Sequence, residues 1–365
     1  MNRRDFLKLS GAGALTLPTA VASAATAGKP SSLAKATELE PIIKNPVIRS
    51  NPALAGKKRA SFFIDDAIWF LRDLTRKRPK SMFDDPFLAP MKECHEKYGL
   101  KLQINLFYRT DFFYGMDEFK LTDVTDAYKD EWQANKDWLR LGFHSLQEFP
   151  DYPWINIGYD DVKKLFAMIH GEIVRFSGDG VFTDALVPHW CPMSREGCIA
   201  LKDSGIKIME CTTGARYRYD GDPTVLPYGH GMRIAQNRKP ETAVYRRDSR
   251  NTAISASVCS YNHIPEELSR KTGNSFNYVY DPDTGMSFKQ LFCDAPCLNL
   301  VNVPQLEKDI AGLLGREYLV FSDHEQYFYP EYFAYQPDYA EKIRVMSKTM
   351  AEAGYDFMFI EDLTV

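Results

Sequence analysis

The chain has 365 residues and a formal net charge of −4, from 45 basic and 49 acidic side chains. This near balance, without a basic run, argues against nucleic acid or an anionic membrane as a partner. Beyond the N-terminal signal described next, no segment has the roughly 18 consecutive apolar residues that a membrane span needs, so we expect no membrane anchor.

The first 27 residues have the pattern of an export signal. Arg3 and Arg4 precede an apolar stretch, and a small-x-small cleavage site follows at residues 22–24. The pattern predicts that the twin-arginine translocase of a bacterium exports the folded protein to the periplasm or the medium. Residues 28–58 are rich in Ala, Ser, Pro and Lys, which predicts a linker. The catalytic part is then expected over 59–365.

From residue 59 onward, apolar patterns typical of strands and of helices alternate, which predicts an α/β fold built on a parallel sheet or barrel. The predicted strands are one ending at Phe62-Phe63-Ile64, then Leu100–Tyr108, Leu141–His144, Phe182–Val187, Ile206–Cys211, Tyr318–Ser322 and Asp356–Ile360. The predicted helices are Ala67–Thr75, Pro86–Tyr98, Val124–Arg140, Tyr159–Phe176, Ser194–Lys202, Gln305–Leu314 and Asp338–Ala353.

Between about 214 and 300 the alternation stops, although short β-type runs occur at Thr252–Ser257 and Phe276–Tyr280. We predict a long insertion on one face of the barrel there, because the runs are too short and scattered for an independent domain.

Polar residues follow several of the predicted strands, at the edge where parallel barrels place their catalytic groups. Asp65 and Asp66 follow the first strand; a competing interpretation is that they only cap the next helix. His144 and Glu148 are four residues apart, and a helical turn would place both on one face as ligands of one metal. His324 follows the late strand.

These stretches resemble the polysaccharide deacetylases of the NodB-homology family. The family's motifs are matched, with two departures, by Phe63-Ile64-Asp65-Asp66, by Gly142–Glu148, by His189-Trp190-Cys191-Pro192, by the strand ending at His324, and by the closing strand within Ala353–Leu363. The departures are Glu148 in place of the second motif's histidine and His189 in place of the third motif's arginine.

The resemblance implies a distorted (β/α)7-type barrel and an exported enzyme that hydrolyses an acetyl or other acyl group from a polysaccharide or oligosaccharide. A divalent metal would be held by Asp66, His144 and Glu148, with Asp65 as general base and His324 as general acid. Zinc accepts such a mixture of imidazole and carboxylate, while the second carboxylate would also suit a harder ion such as Mn.

Arg109 and the rings of Tyr108, Trp190 and Tyr327, together with His189, are predicted to contact an acidic or N-acetylated sugar. Two other functions stay open. The same residues would serve a metal-dependent glycan lyase or glycoside hydrolase, and a non-catalytic glycan-binding protein would keep the cleft alone.

Overall fold

Ten strands and eight α-helices make up the part of the chain that the computed structural model describes, residues 43–110, 118–148, 153–155, 157–212, 260–291, 295–332 and 334–365. The strands are β1 (Val47–Ser50), β2 (Arg59–Ala67), β3 (Leu102–Phe107), β4 (Leu139–Ser145), β5 (Ala185–Leu186), β6 (Ile208–Glu210), β7 (Asn277–Tyr280), β8 (Ser287–Lys289), β9 (Tyr318–His324) and β10 (Asp356–Phe357). The helices are α1 (Trp69–Lys77), α2 (Leu88–Tyr98), α3 (Lys129–Asn135), α4 (Tyr159–Ser177), α5 (Arg195–Lys202), α6 (Glu266–Thr272), α7 (Val303–Ala311) and α8 (Tyr339–Glu352).

Eight of the strands run parallel: seven follow the order β9-β2-β3-β4-β5-β6-β8, and β10 pairs with the start of β2. Between β4 and β5 the described residues form no ladder, and an isolated parallel bridge joins Leu141 of β4 to Phe182, which precedes β5. This is the predicted α/β class, a distorted (β/α)7-type barrel. Among the described residues no ladder pairs β8 with β9; instead Cys297 forms an isolated bridge with Ser322 of β9.

Two apolar layers cover the sheet, because side chains alternate along each strand. On β2, Phe62 and Ile64 pack into the layer that includes the helices, whereas Phe63 packs into a smaller inner cluster. Other members of the inner cluster are Ala185, Val187, Ile208, Tyr318, Val320 and Met358. Burial of β2 on both faces explains its continuous apolar run before the two aspartates.

Most helices lie where their apolar stripes predict them, and glycines end two of them. α2 ends at Gly99, whose φ of 70° is readily adopted only without a Cβ, and α4 ends at Gly178. The helix predicted over Val124–Arg140 is wrong in its extent: α3 covers Lys129–Asn135, and β4 has already begun at Leu139. Pairing of Leu139 with Leu102 of β3 holds this end of the segment extended.

Two predicted boundaries change. Within the predicted linker 28–58, residues Val47–Ser50 form β1, which pairs antiparallel with β7. Within the predicted insertion 214–300, β8 pairs parallel with β6 and so belongs to the central sheet. Strands of three or four residues are too short to show a period, which is why the sequence pattern missed them. The export signal and Thr252–Ser257 lie outside the described residues.

Candidate metal centre

A bulge at the end of β2 aims two neighbouring carboxylates at the same region. In a regular strand Asp65 and Asp66 would point to opposite faces. Here the register with β3 shifts between Ile64 and Ala67, and Asp66 has a left-handed φ of 59°. Aspartate tolerates this conformation better than most residues. Both carboxylates are buried, at 2% and 7% exposure.

Asp66, His144 and His189 bring three ligand atoms together. Asp66 Oδ1 lies 3.0 Å from His144 Nε2 and 3.2 Å from His189 Nδ1. The two imidazole nitrogens are 3.1 Å apart. His144 is near the end of β4, and the chain after β5 runs beside it, with His189 N donating to His144 O at 3.4 Å. This buried group has the composition and spacing to hold a metal ion.

In each imidazole ring, the outer nitrogen contacts a backbone carbonyl and the inner nitrogen faces Asp66. The outer contact determines which of the two nitrogens carries the hydrogen. His144 Nδ1 lies 2.7 Å from Val187 O, and His189 Nε2 lies 2.7 Å from Glu148 O. A backbone carbonyl only accepts, so each of these ring nitrogens carries the hydrogen. In the neutral imidazoles the inner nitrogens therefore present lone pairs to the oxygen of Asp66. Three such acceptors at one point repel one another unless a proton or a metal ion lies between them, and their arrangement suits a metal ion.

The electrostatics agree with this donor set. Burial alone would raise the pKa of Asp66, but its contacts with His144 and His189 hold that pKa well below the usual range. Burial lowers the pKa of His144, which favours the neutral ring that a metal requires.

Asp65 lies beside this group without joining it. Its Oδ1 accepts a 2.7 Å hydrogen bond from Asn105 Nδ2 and lies 3.8 Å from His144 Nδ1. Burial raises the pKa of Asp65 well above its ordinary value, and the neighbouring charges of Asp66 and Glu210 raise it further. A carboxyl group with a raised pKa next to a metal site is suited to accept and release protons.

His324 reaches the same place from the adjacent strand. In the β2–β9 ladder His324 pairs with Asp65, and its Nε2 lies 3.9 Å from Asp66 Oδ2. Its Nδ1 lies 3.0 Å from Asn299 Oδ1, a partner that accepts and leaves Nε2 facing the site. Burial lowers the pKa of His324. Neighbouring strands thus suffice to bring the predicted base and acid together.

The predicted ligand Glu148 is not part of the group that the geometry brings together. Its carboxylate accepts a 2.7 Å bond from Gln326, and its backbone oxygen supports His189. The helical turn assumed between His144 and Glu148 is absent, since His144 belongs to β4 and bends follow it. His189, predicted to contact sugar, is instead the third member of the group that could hold a metal ion.

The other predicted substrate residues differ in exposure. Tyr108 and Arg109 are partly exposed, and Arg109 Nε donates to Gln147 at 2.6 Å. Trp190 is partly exposed, with its ring centroid 5.8 Å from that of His189. Tyr327 is only 2% exposed and packs on Tyr332 in the core. Its ring has no open face for a sugar, so we omit it from the proposed cleft.

Sequence reasoning missed four polar residues around the site: Gln103, Asn105, Glu210 and Asn299. Gln103 and Asn105 are two apart in the otherwise apolar strand β3, a signal that both point to one buried face. Glu210 ends β6, as catalytic groups of such barrels often do, and accepts from Cys191 Sγ at 3.0 Å. Asn299 gave no comparable signal.

No protein-family model matches the chain, and no curated protein sequence matches it significantly. Among solved structures, the chain is similar to a proposed polysaccharide deacetylase from Mycobacterium smegmatis, with 13% identity, a TM-score of 0.40, and coverage of 87% of this chain and 91% of that one. It is similar to a CE4 family pseudoenzyme from Bacillus anthracis, at 10% identity, a TM-score of 0.38 and coverage of 84% and 66%. A 4-alpha-glucanotransferase from Thermococcus litoralis has 12% identity, a TM-score of 0.41 and coverage of 84% and 40%.

Of these three proteins, one is named as a proposed polysaccharide deacetylase and one as a CE4 family pseudoenzyme. The three proteins differ in what their names say they do, and none is similar enough to this chain to assign it an activity.

Proposed function

We propose that this protein is a metal-dependent hydrolase that removes an acetyl or other acyl group from a polysaccharide or oligosaccharide. The observation that carries the proposal is the convergence of Asp66 Oδ1, His144 Nε2 and His189 Nδ1 as three buried lone-pair donors. Asp65 and His324 beside them supply a proton acceptor and a proton donor.

The donor set fits a divalent ion, and zinc best. Two imidazole nitrogens and one carboxylate oxygen are ligands that zinc accepts, and three protein ligands leave a position open, as in catalytic sites. Such an ion lowers the pKa of bound water and polarises an acyl carbonyl. With His189 in place of Glu148 the set is less charged than the sequence predicted, which weakens the argument for Mn.

The chain's own residues then handle the protons. Asp65 accepts the proton of the attacking water, and Asn105 holds one of its oxygens during the transfer. His324 donates from Nε2 to the leaving sugar oxygen or nitrogen, because its Nδ1 is engaged by Asn299. The partly exposed Tyr108, Arg109 and Trp190 form the proposed sugar contacts at the same strand ends.

The decisive experiment offers the metal-loaded protein a panel of acetylated glycans and follows acetate release and product masses together. We expect acetate from at least one glycan, loss of that activity with a chelator, and recovery on adding zinc. Cleavage of the glycan chain without acetate would instead identify a lyase or glycoside hydrolase. Binding without any product, in protein that contains its metal, would identify a glycan-binding protein.

We also propose export through the twin-arginine translocase, on the basis of Arg3 and Arg4. Among the described residues, no helix combines the length and apolar character that crossing a membrane requires. Replacing both arginines, Arg3→Lys and Arg4→Lys, should retain the protein in the cytoplasm, as cell fractionation would show. Unchanged secretion of that variant would contradict the proposal.

A further inference from the structure

A chain of hydrogen-bonded side chains runs through the sheet interior and ends on Asp65. Asn105 Nδ2 donates to Asp65 Oδ1 at 2.7 Å, and Gln103 Nε2 donates to Asn105 Oδ1 at 2.8 Å. Gln103 and Asn105 are 1% and 0% exposed. Two side-chain amides on the same face of a buried strand are unusual, because every polar atom of each amide needs a hydrogen-bond partner.

A backbone carbonyl determines which way both amides face. Gln103 lies 3.3 Å from Ala185 O, which only accepts, so the Gln103 atom there is the donor Nε2. The same Nε2 faces Asn105, whose facing atom must then be the acceptor Oδ1. Asn105 is left with Nδ2 towards Asp65. The carbonyl of Ala185 therefore guarantees that a donor, and never an acceptor, meets the carboxylate.

The far end of the chain is tied down near the start of the strands. Thr183 Oγ1 lies 3.4 Å from Gln103 Oε1 and 2.6 Å from Glu361 Oε2. Glu361 in turn pairs with Arg140. The single hydroxyl hydrogen of Thr183 goes to the shorter contact with Glu361, so the orientation of Gln103 is held by Ala185 O, with Thr183 beside its Oε1.

Gly142 on β4 makes room for this arrangement. A Cβ at this position would overlap Asn105 Oδ1 and would lie 3.0 Å from Thr183 Cγ2. The neighbouring strand therefore needs glycine where the Asn105 amide crosses it.

We propose that Asn105, oriented by Gln103, is the positioning residue for Asp65. It holds Oδ1 in place so that Oδ2, which Asn105 does not engage, is the oxygen that exchanges the proton. This inference rests on the proposed function for its chemical meaning. Its structural content, one fixed conformer of Asp65 imposed by Asn105, is independent of any activity.

The test compares Asn105→Leu and Gln103→Leu with the metal-loaded wild type, in crystal structures and in steady-state kinetics. We expect Asp65 to leave its conformer in Asn105→Leu, with kcat reduced roughly 10–100-fold, KM unchanged and metal content unchanged. Gln103→Leu should have a smaller effect on kcat, with Asp65 displaced less than in Asn105→Leu.

Two further variants separate positioning from general damage. Gln133→Leu removes a hydrogen bond of the same 2.7 Å length, to Ser177 O, away from the site, and should change neither Asp65 nor kcat. Gly142→Ala keeps Asn105 but displaces its amide, so it should behave as Asn105→Leu does even if that variant folds poorly.

An unchanged Asp65 conformer together with an unchanged kcat in Asn105→Leu would overturn the inference. A wild type that releases no acyl group from any glycan would overturn the proposed function alone. In that case the conformer of Asp65 in the variant crystals still decides whether Asn105 positions it.

Discussion

The two ends of strand β2 use charged residues in opposite ways. Arg59 is the first residue of the strand and pairs with Asp356 at 2.5 Å, where the aspartate side chain is 76% exposed. Asp65 and Asp66, near the last residue of the strand, are buried. At the first end, solvated charges join β10 to β2. At the carboxyl end, the charged groups are buried and lie close to one another.

This difference separates stability from chemistry. A solvated ion pair contributes little, about 0–1 kcal/mol, and its loss is tolerated. Buried carboxylates and imidazoles do not stabilise a fold unless they are fully paired, so their presence at one edge indicates use. Substitutions of Asp65 and Asp66 should therefore remove function while preserving the fold, and substitution of Arg59 should do neither to any large extent.

The largest effect is expected from the metal ligands. His144→Ala and His189→Ala should each abolish activity and lose the ion, which we expect at about one per chain in the wild type. Glu148→Gln is the matched control and should keep the ion. Elemental analysis of the three purified variants measures this. Loss of metal in Glu148→Gln with retention in His189→Ala would restore the ligand set that the sequence predicted.

Next in size is the general base. Asp65→Asn should lower kcat about 10²–10⁴-fold, the usual contribution of general acid–base catalysis. Because the amide replaces a buried carboxyl group that is no ligand, metal content and melting temperature should stay close to wild type. A variant that loses its metal would instead make Asp65 part of the metal centre.

The general acid should matter in proportion to the leaving group. His324→Ala should lower the rate on an acetylated amino sugar or sugar ester roughly 100-fold or more, because the departing atom needs a proton. On 4-nitrophenyl acetate the loss should be small, since nitrophenolate leaves unprotonated. Equal losses on both kinds of substrate would remove His324 from the proton path.

A moderate effect on stability is expected from Glu325, which directly follows β9. Its carboxylate accepts from the backbone N–H groups of Ile68, Trp69 and Phe70 at the start of α1, yet burial raises its pKa from 4.5 to about 7. A raised pKa in the folded state stabilises the fold at low pH, and this contribution is lost as the pH rises through about 7.

The free energy of unfolding should therefore be about 1–3 kcal/mol lower at pH 8 than at pH 5 on account of Glu325. Denaturant titrations at both pH values measure it. Glu325→Gln should show a smaller fall. Asp323, whose pKa burial also raises to about 7, is present in both proteins, so their difference isolates Glu325. Equal falls would exclude this role.

The smallest effect is expected at the other end of β2. Arg59→Ala removes the pair with Asp356 and should cost less than about 1 kcal/mol, with no change in activity. Thermal unfolding and the acetate assay check both. A cost of several kcal/mol would show that the amino ends carry the fold after all, and the contrast between the two ends would fail.

The sequence by itself determined the α/β class, most of the central strands and helices although not β8, and the position of Asp65, Asp66, His144 and His324 at strand ends. These depend on local periods of two and 3.6 residues, which a single chain shows directly. It also placed Asp65 and Asp66 side by side at the carboxyl end of β2, since two adjacent carboxylates after an apolar run can be recognised from the sequence alone.

Only the tertiary structure decided which of His189 and Glu148 faces Asp66. The choice depends on how the chain after β5 lies against β4 and on the bulge that turns Asp66 inward. Neither feature produces a repeating pattern of apolar residues in the sequence. The same holds for Asn105, whose role depends on Ala185, a residue 80 positions away that supplies a carbonyl. Such contacts join residues that are far apart along the chain, and they are set by the register of the strands and by the local backbone conformation.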